Sequence, residues 1–368
     1  MPHTLVTGAN SFVAAHIINA LIAAGHSVTG SVRRAAAGEE VLEWHPEWND
    51  KFEYVVISDY ADSGVWDEIF KTNKFDHVSS SNFHMMKDNL MKRYQIVHVA
   101  APMVDDQRNT DYDQNFLYPA VEGNLSLLRS AVAHAPTLKS IAITGSINSL
   151  TMGSPEENAS TIYVNDFWNP ITPEKAREAQ NAYLSYCSSK KEAEKAVWDF
   201  VGSTSPHFSV TVLLPALIFG PPIQPVRGIN GLGYSSNVFY SLWNNTYSEV
   251  PPTTFPSYID VRDLAAAHLR ALSNPEAANR RFLVGGEKLT YTDIVKTLKE
   301  LSLSDILQLE GRLPAESGED ENVVFARIDA AEGNRILGLE GTMRSKKTTF
   351  GDAAKRILEL EQKFQASG

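Results

Sequence analysis

Short β-branched runs alternate with helix-patterned stretches through the first 215 residues, and this alternation narrows the fold more than any other feature. The runs are His3 to Thr7, Ser27 to Val32, Phe52 to Ile57, Ile96 to Ala100, Ser140 to Thr144 and Val210 to Leu214. Helical patterns cover Phe12 to Ala24, Gly64 to Thr72, Pro119 to Ala133 and Ala182 to Val201. Strands joined through helices pair in parallel, because the crossover carries the chain back over the sheet and covers its face. The expected architecture is α/β, a doubly wound parallel sheet of the Rossmann type.

After Pro215 the sequence turns rich in Gly, Pro and Asn through Pro256, with too little periodicity for a sheet of its own, which suits a lid over a ligand. Tyr258 to Leu272 returns to a strand-then-helix pattern and Phe282 to Val284 predicts a further strand. Helices are expected at Thr292 to Leu301 and Thr349 to Phe364. The expected division assigns residues 1–215 and 258–285 to a nucleotide-binding domain, and residues 216–257 with 286–368 to a smaller substrate-binding domain.

Val78 to Gln95 breaks this plan, since 18 residues rich in Ser, Asn, Met and Lys stand where two to six usually join a helix to a strand. Deleting them splices FDH onto IVHVAAP. The run begins with a residue whose codons start GT and ends with one that CAG encodes, so two readings stand, a retained intron and a surface loop. Sequencing the transcript separates them.

The net charge of −11 argues against nucleic acid or an anionic membrane as partner and leaves room for a local phosphate pocket. A single cysteine, Cys187, excludes an intramolecular disulfide framework and fits a reducing compartment, so a cytoplasmic protein is expected. The apolar stretch Leu5 to Gly25 is interrupted by Asn10, Ser11, His16 and Asn19 and lacks a preceding basic cluster, so it reads as strand, turn and helix, not as a signal peptide.

Thr7-Gly8-Ala9-Asn10-Ser11-Phe12-Val13-Ala14 opens a helix whose free amides and positive dipole end suit a pyrophosphate. Gly8 supplies the tight turn. Ser11 stands where a second glycine admits phosphate to the backbone, and its Cβ is expected to restrict both backbone and approach; Ala14 takes the place of a third. The competing reading is a strand, turn and helix without a ligand. After the second strand, Arg33 and Arg34 stand where an acidic residue would hold the ribose hydroxyls of NAD. Arginine there pairs with the 2′-phosphate of NADP, unless it is simply solvated surface. Asp59, after the third strand, either reaches the adenine amino group or forms a turn.

The strongest chemical pattern is Tyr186-Cys187-Ser188-Ser189-Lys190, whose four-residue spacing puts Tyr186 and Lys190 on one helix face. A nearby ammonium together with a cationic nicotinamide is expected to lower the phenol's pKa, so that Tyr186 protonates a carbonyl oxygen as hydride reaches carbon. Ser146 follows the Ser140 to Thr144 strand, opens into the same crevice and is placed to hold the substrate oxygen.

With these residues in order, the sequence resembles the extended short-chain dehydrogenase/reductase family (NAD-dependent epimerase/dehydratase-like), and within it the methylglyoxal, aldehyde and ketone reductases of fungi and the dihydroflavonol reductases of plants. TGANSFVAAHI, VRR, IVHVAAP, AITGS, WNPIT, YCSSKKEAEKAVWDF, LPALIFGPP and YIDVRDLAAAHLRAL carry the likeness, which runs to about Val284. The resemblance implies NADP(H) as cofactor. It implies that Gly8, Ser11, Phe12 and Val13 line the pyrophosphate, that Arg33 meets the 2′-phosphate, and that Asp59 and Tyr60 border the adenine. It puts Ala100, Ala101 and Pro102 beside the nicotinamide and Pro215, Leu217 and Ile218 at its carboxamide. Ser146, Tyr186 and Lys190 take the catalytic places, with Lys190 also holding the nicotinamide ribose. In the family the tyrosine at Asn181-Ala182-Tyr183 usually serves as acid; here Leu184-Ser185-Tyr186 intervene, and only Tyr186 keeps its spacing to Lys190.

The expected activity is NADPH-dependent reduction of an aldehyde, ketone or ketoester to the alcohol, with Tyr186 as proton donor. A nucleotide-sugar epimerase or dehydratase using NAD is an alternative that Arg33 and the lack of a basic diphosphate motif in the lid oppose. A non-catalytic NADP(H)-sensing regulator is another, motivated by the degraded glycine turn. Phe219, Tyr234, Phe239, Tyr240 and Trp243 form either an aromatic substrate pocket or ordinary core. No metal is expected, because the histidines lack ligand spacing, and Cys187 has no base to activate it. The partner is a small carbonyl or alcohol, and the protein is expected to be a monomer or homodimer.

Overall fold

The computed structural model describes residues 2–72, 94–100, 111–152, 161–303, 309, 311–316 and 327–366. The chain runs β1 (His3–Val6), α1 (Phe12–Ala23), β2 (Ser27–Val32), α2 (Ala35–Trp44), β3 (Phe52–Val56), α3 (Ser63–Thr72), β4 (Tyr94–His98), α4 (Tyr118–His134) and β5 (Leu138–Thr144). It continues through β6 (Ile162–Tyr163), α5 (Pro173–Ala179), α6 (Ala182–Thr204), β7 (Ser209–Pro215), β8 (Leu217–Phe219), α7 (Tyr234–Ser241), β9 (Ser257–Asp260), α8 (Val261–Ser273) and β10 (Arg280–Val284). The last part holds β11 (Glu287–Lys288), α9 (Tyr291–Leu303), β12 (Arg327–Ile328), α10 (Ala331–Ile336) and α11 (Lys346–Ala366).

Seven strands form a parallel sheet in the order β10-β7-β5-β4-β1-β2-β3, so the doubly wound fold stands as the alternation required. Helix α1 is apolar on most sides because it is wedged between this sheet and α8: Ala14, Ile17, Ile18 and Leu21 pack with Leu264 and Ala267. It stops where Gly25, at φ +87°, lets His26 N–H reach Leu21 O and Gly25 N–H reach Ile22 O. On the opposite face Trp66, Leu127, Leu128 and Val197 cover Leu5, Ile141 and Val212. A third cluster, with Phe219, Phe239, Trp243, Leu298, Phe350 and Ile357, joins β8, α7, α9 and α11.

Three sequence expectations change. β4 starts at Tyr94 where Ile96 was expected, and Gln95 Nε2 donates to Leu272 O at 2.9 Å, so the last two residues of the inserted run belong to the sheet. The remainder of that run, Val78 to Arg93, lies outside the described residues. The stretch after Pro215 is more regular than its composition implied: β8 pairs with β9, β9 pairs with β11, and α7 packs over β8. Finally, α2 stands where no helix was expected; it carries Gly38, a weak helix former, in its interior, where a Cβ would meet the Tyr54 ring at 2.4 Å. Among the described residues no helix is long and apolar enough to cross a membrane.

Candidate active site

Leaving β1, successive strands add outward on one side as β2 and β3 and on the other as β4 and β5, and a crevice opens at their carboxyl ends where that order reverses. The turn into this crevice needs one glycine for its conformation. Gly8 holds φ +70°, and a Cβ there would also sit 3.5 Å from Ala100. Gly30 on β2 makes room beneath the turn, since its Cβ would overlap Ala9 at 2.6 Å. Ser11 lies at φ −95°, ψ 160°, extended backbone open to any residue, so the backbone restriction expected of it is not there. No side chain caps α1, which leaves its first-turn amides, beginning with Phe12 and Val13, available to a ligand.

Arg33 is exposed and shares the wall of one cavity with Asp59 and Tyr60. Asp59 performs the turn-forming task, accepting from Ala61 N–H at 2.9 Å. The Tyr60 hydroxyl turns inward, 2.9 Å from Ser31 Oγ, and accepts from Gly8 N–H at 3.2 Å. Burial raises its pKa, so it stays a neutral phenol beside the turn.

That cavity, about 310 Å³, extends from Arg33 past His98 and Ala100 to Thr144, Gly145 and Lys190. Ser146 follows β5 after Gly145 and is 7% exposed. The Ser146 hydroxyl pulls down the pKa of Tyr186 on α6, against the effect of burial. The ammonium by itself does not lower Tyr186. Burial raises Tyr186, with Cys187 and Tyr234 adding to the rise and Ser146 opposing it. The Lys190 ammonium is pushed down to about 8 by burial, Glu194 counters this, and its charge helps depress His98 to about 3, mainly a burial effect. Glu194 is itself paired with Arg281 at 2.6 Å.

His98 is fixed by Thr7. The Thr7 hydroxyl accepts the Val99 and Ala100 amides at 2.9 Å each, so its single proton goes to His98 Nδ1 at 3.1 Å. The imidazole is therefore neutral with its proton on Nε2, and the ends of β1 and β4 are tied together beneath the crevice.

Tyr183 is also on α6 and is 48% exposed, yet its hydroxyl bonds Asn148 and the Met152 carbonyl, not Ser146. Pro215 ends β7 opposite Val284, and Leu217 and Ile218 follow on β8, partly buried at the same end of the sheet. Ala101 and Pro102 lie outside the described residues. The aromatic set divides: Phe219, Phe239 and Trp243 are core, Tyr240 donates to Glu361, and only Tyr234, 55% exposed, is electrostatically coupled to Tyr183 and Tyr186. Sequence reasoning missed Asn148, His98, Thr7 and Glu194. Asn148, two residues beyond Ser146, carried the one available signal, since Ser and Asn at that spacing favour local side-chain to backbone bonds.

Fold and site together define a dinucleotide-binding α/β protein whose cavity opens at the carboxyl end of the central sheet. The chain belongs to the NAD dependent epimerase/dehydratase family, whose model matches residues 4–285. It is 31% identical to the NADPH-dependent methylglyoxal reductase GRE2 of Saccharomyces cerevisiae over 97% of this chain and 98% of that one. It is 30% identical to the ketoreductase azaE of Aspergillus niger, over 96% and 97%. Among solved structures it resembles Gre2 of Candida albicans in complex with NADPH, with TM-score 0.80, 26% identity and coverage of 98% and 99%. A UDP-glucose 4-epimerase of Thermotoga maritima, 17% identical at TM-score 0.65 over 97% and 99%, shares the fold.

Proposed function

We propose that the protein is an NADPH-dependent carbonyl reductase that converts an aldehyde, ketone or ketoester to the alcohol. The observation that carries this reading is a cavity at the carboxyl end of the sheet that runs from Arg33 to Lys190, four residues beyond Tyr186 on the same helix. The relatives named as NADPH-dependent and ketone reductases support it, as do the NADPH complexes.

The residues present fit the cofactor. Gly8 gives the close turn, the uncapped start of α1 offers Phe12 and Val13 amides for the pyrophosphate, and Arg33 stands free to meet a 2′-phosphate. Lys190 would hold the nicotinamide ribose. When bound, the dinucleotide supplies the hydride to the carbonyl carbon.

The chain supplies the proton and the placement. A raised pKa keeps Tyr186 protonated at neutral pH, so it arrives at the reaction as a competent donor. Ser146 holds the substrate oxygen within reach of that phenol. As charge develops on the oxygen, the Tyr186 proton moves to it and the Ser146 hydroxyl steadies what remains.

The test is NADPH consumption over a panel of aldehydes, ketones and ketoesters, with the alcohol identified as product. Turnover with NADPH and little with NADH supports the reading; tight NADPH binding with no turnover anywhere on the panel favours the sensing regulator instead.

A further inference from the structure

Two hydroxyls hold the Gly8 amide at once. Its N–H donates to Ser31 Oγ on β2 at 3.3 Å and to the Tyr60 hydroxyl at 3.2 Å, and the two oxygens lie 2.9 Å apart. Among the described residues neither hydroxyl has a further hydrogen-bond partner. Each carries one proton, and the bond between them uses only one of the pair. One proton is therefore left over, whichever hydroxyl donates. The surroundings decide where it stays. Ser31 is fully buried in the sheet, where a hydroxyl proton without an acceptor loses its hydration for nothing in return. Tyr60 stands on the wall of the cavity. With Ser31 donating to Tyr60, the unused proton is the phenol's and has the cavity beside it.

The phenol is fixed in this place from three sides. Trp66 Nε1 donates to the Tyr60 carbonyl at 2.9 Å, and Ser126 on α4 donates to the next carbonyl, of Ala61, at 2.7 Å. The ring stands edge-on to His98, with centroids 6.3 Å apart. Ser31 also accepts the Ala9 N–H through its carbonyl at 2.9 Å, so one residue of β2 and one phenol together hold the turn after β1. Burial raises the Tyr60 pKa, and the proton stays on it at neutral pH.

We propose that the Tyr60 hydroxyl is a side-chain ligand of the cofactor's pyrophosphate, giving its unshared proton to a phosphate oxygen beside the amides of Phe12 and Val13. The pyrophosphate is the part addressed because the hydroxyl is bonded to Gly8, in the turn that opens α1. A phosphate oxygen is anionic and only accepts, which makes it a stronger partner for a neutral O–H than an adenine or ribose atom. The ring of Tyr60 can still border the adenine while its hydroxyl serves the next group along. The proposal rests on the dinucleotide reading, and its test needs no turnover.

Tyr60→Phe keeps the ring and leaves Ser31 to hold Gly8; Ser31→Ala leaves Tyr60 to hold it. Each variant removes one acceptor of the same amide, and only the first removes the phenol proton. Calorimetric titration with NADPH, ADP-ribose and adenosine 2′-phosphate separates these effects. Tyr60→Phe is expected to weaken NADPH and ADP-ribose about tenfold, the scale of one hydrogen bond to a charged acceptor. Adenosine 2′-phosphate has no pyrophosphate and should bind as before. Ser31→Ala should change all three by less than about twofold. Equal weakening by the two variants would mean that the hydroxyls only hold the turn. Weaker adenosine 2′-phosphate in Tyr60→Phe would move the contact to the adenosine. Either result overturns the proposal, as does unchanged affinity in Tyr60→Phe when wild type binds. Wild type that binds neither NADPH nor ADP-ribose ends the dinucleotide reading and the proposal together. The full pattern of affinities without turnover of any carbonyl leaves the proposal standing and ends the reductase reading.

Discussion

The two ends of the cavity are built from different materials. At the Gly8 end the groups that face a ligand are main-chain amides at the start of α1, and side chains matter chiefly for where they keep out. At the Ser146 end the groups are side chains, each held by another side chain or by a carbonyl. The difference explains why the first end looks degraded as a motif and the second does not. A backbone-built site tolerates any residue whose φ and ψ suit, as Ser11 at φ −95° does, whereas a hydroxyl or an ammonium has no substitute.

The largest effect that would break this contrast is at the side-chain end. Tyr186→Phe is expected to lower kcat about a thousandfold, within the range for losing a positioned acid, with NADPH affinity unchanged. Tyr183→Phe, three residues away, lowers kcat only about tenfold, and steady-state kinetics of the two variants side by side measure the difference. Equal losses would mean that the two tyrosines share the role.

Arg33 is the charged side chain on which the backbone end depends. Arg33→Ala should weaken NADPH binding about thirtyfold and leave NADH binding as it was, since only the former carries the 2′-phosphate. Fluorescence titration of both cofactors checks it.

Burial of a cation sharpens the contrast through pH. Lys190 titrates near 8 in the folded protein against an ordinary 10.5, so between those values the unfolded chain binds the extra proton. Stability attributable to Lys190 therefore rises as pH climbs from about 8 to 10.5, and its penalty is fully present below 8. Lys190→Met should raise Tm at pH 7 by about 2 °C and abolish turnover, and the Tm gain should fade toward pH 10.5. Calorimetry across that range reads both. At the other end, Ser11→Gly should change NADPH affinity by less than about threefold, the smallest effect of the set.

How far the sequence could be read follows the same division. β2 was bounded correctly as Ser27 to Val32 because a β-branched run flanked by turn signals needs no tertiary information. The start of α6 at Ala182 was legible because Asn181 caps it, accepting from Leu184 N–H. That Tyr186 and Lys190 share one helix and that Ser146 follows the fifth strand was legible by order and spacing. Two features were not, because they depend on contacts across the fold. Lys190 lies buried near Glu194 and His98, a setting that spacing on one helix cannot reveal. The aromatic run after Pro215 divides into core and exposed members only once α11 brings Phe350 against Phe219 and Phe239.

The central claim, that this chain moves a hydride from NADPH to a carbonyl with Tyr186 supplying the proton, is tested most directly by isotope transfer. NADPH deuterated at the transferring position is mixed with methylglyoxal or an aromatic ketone, and the alcohol is analysed by mass spectrometry for wild type and for Tyr186→Phe with both proteins saturated in cofactor. The account predicts deuterium on the carbinol carbon with wild type and almost none with Tyr186→Phe in the same time. Deuterated alcohol formed equally fast by both proteins, or bound NADPH that never gives up its label, would contradict it.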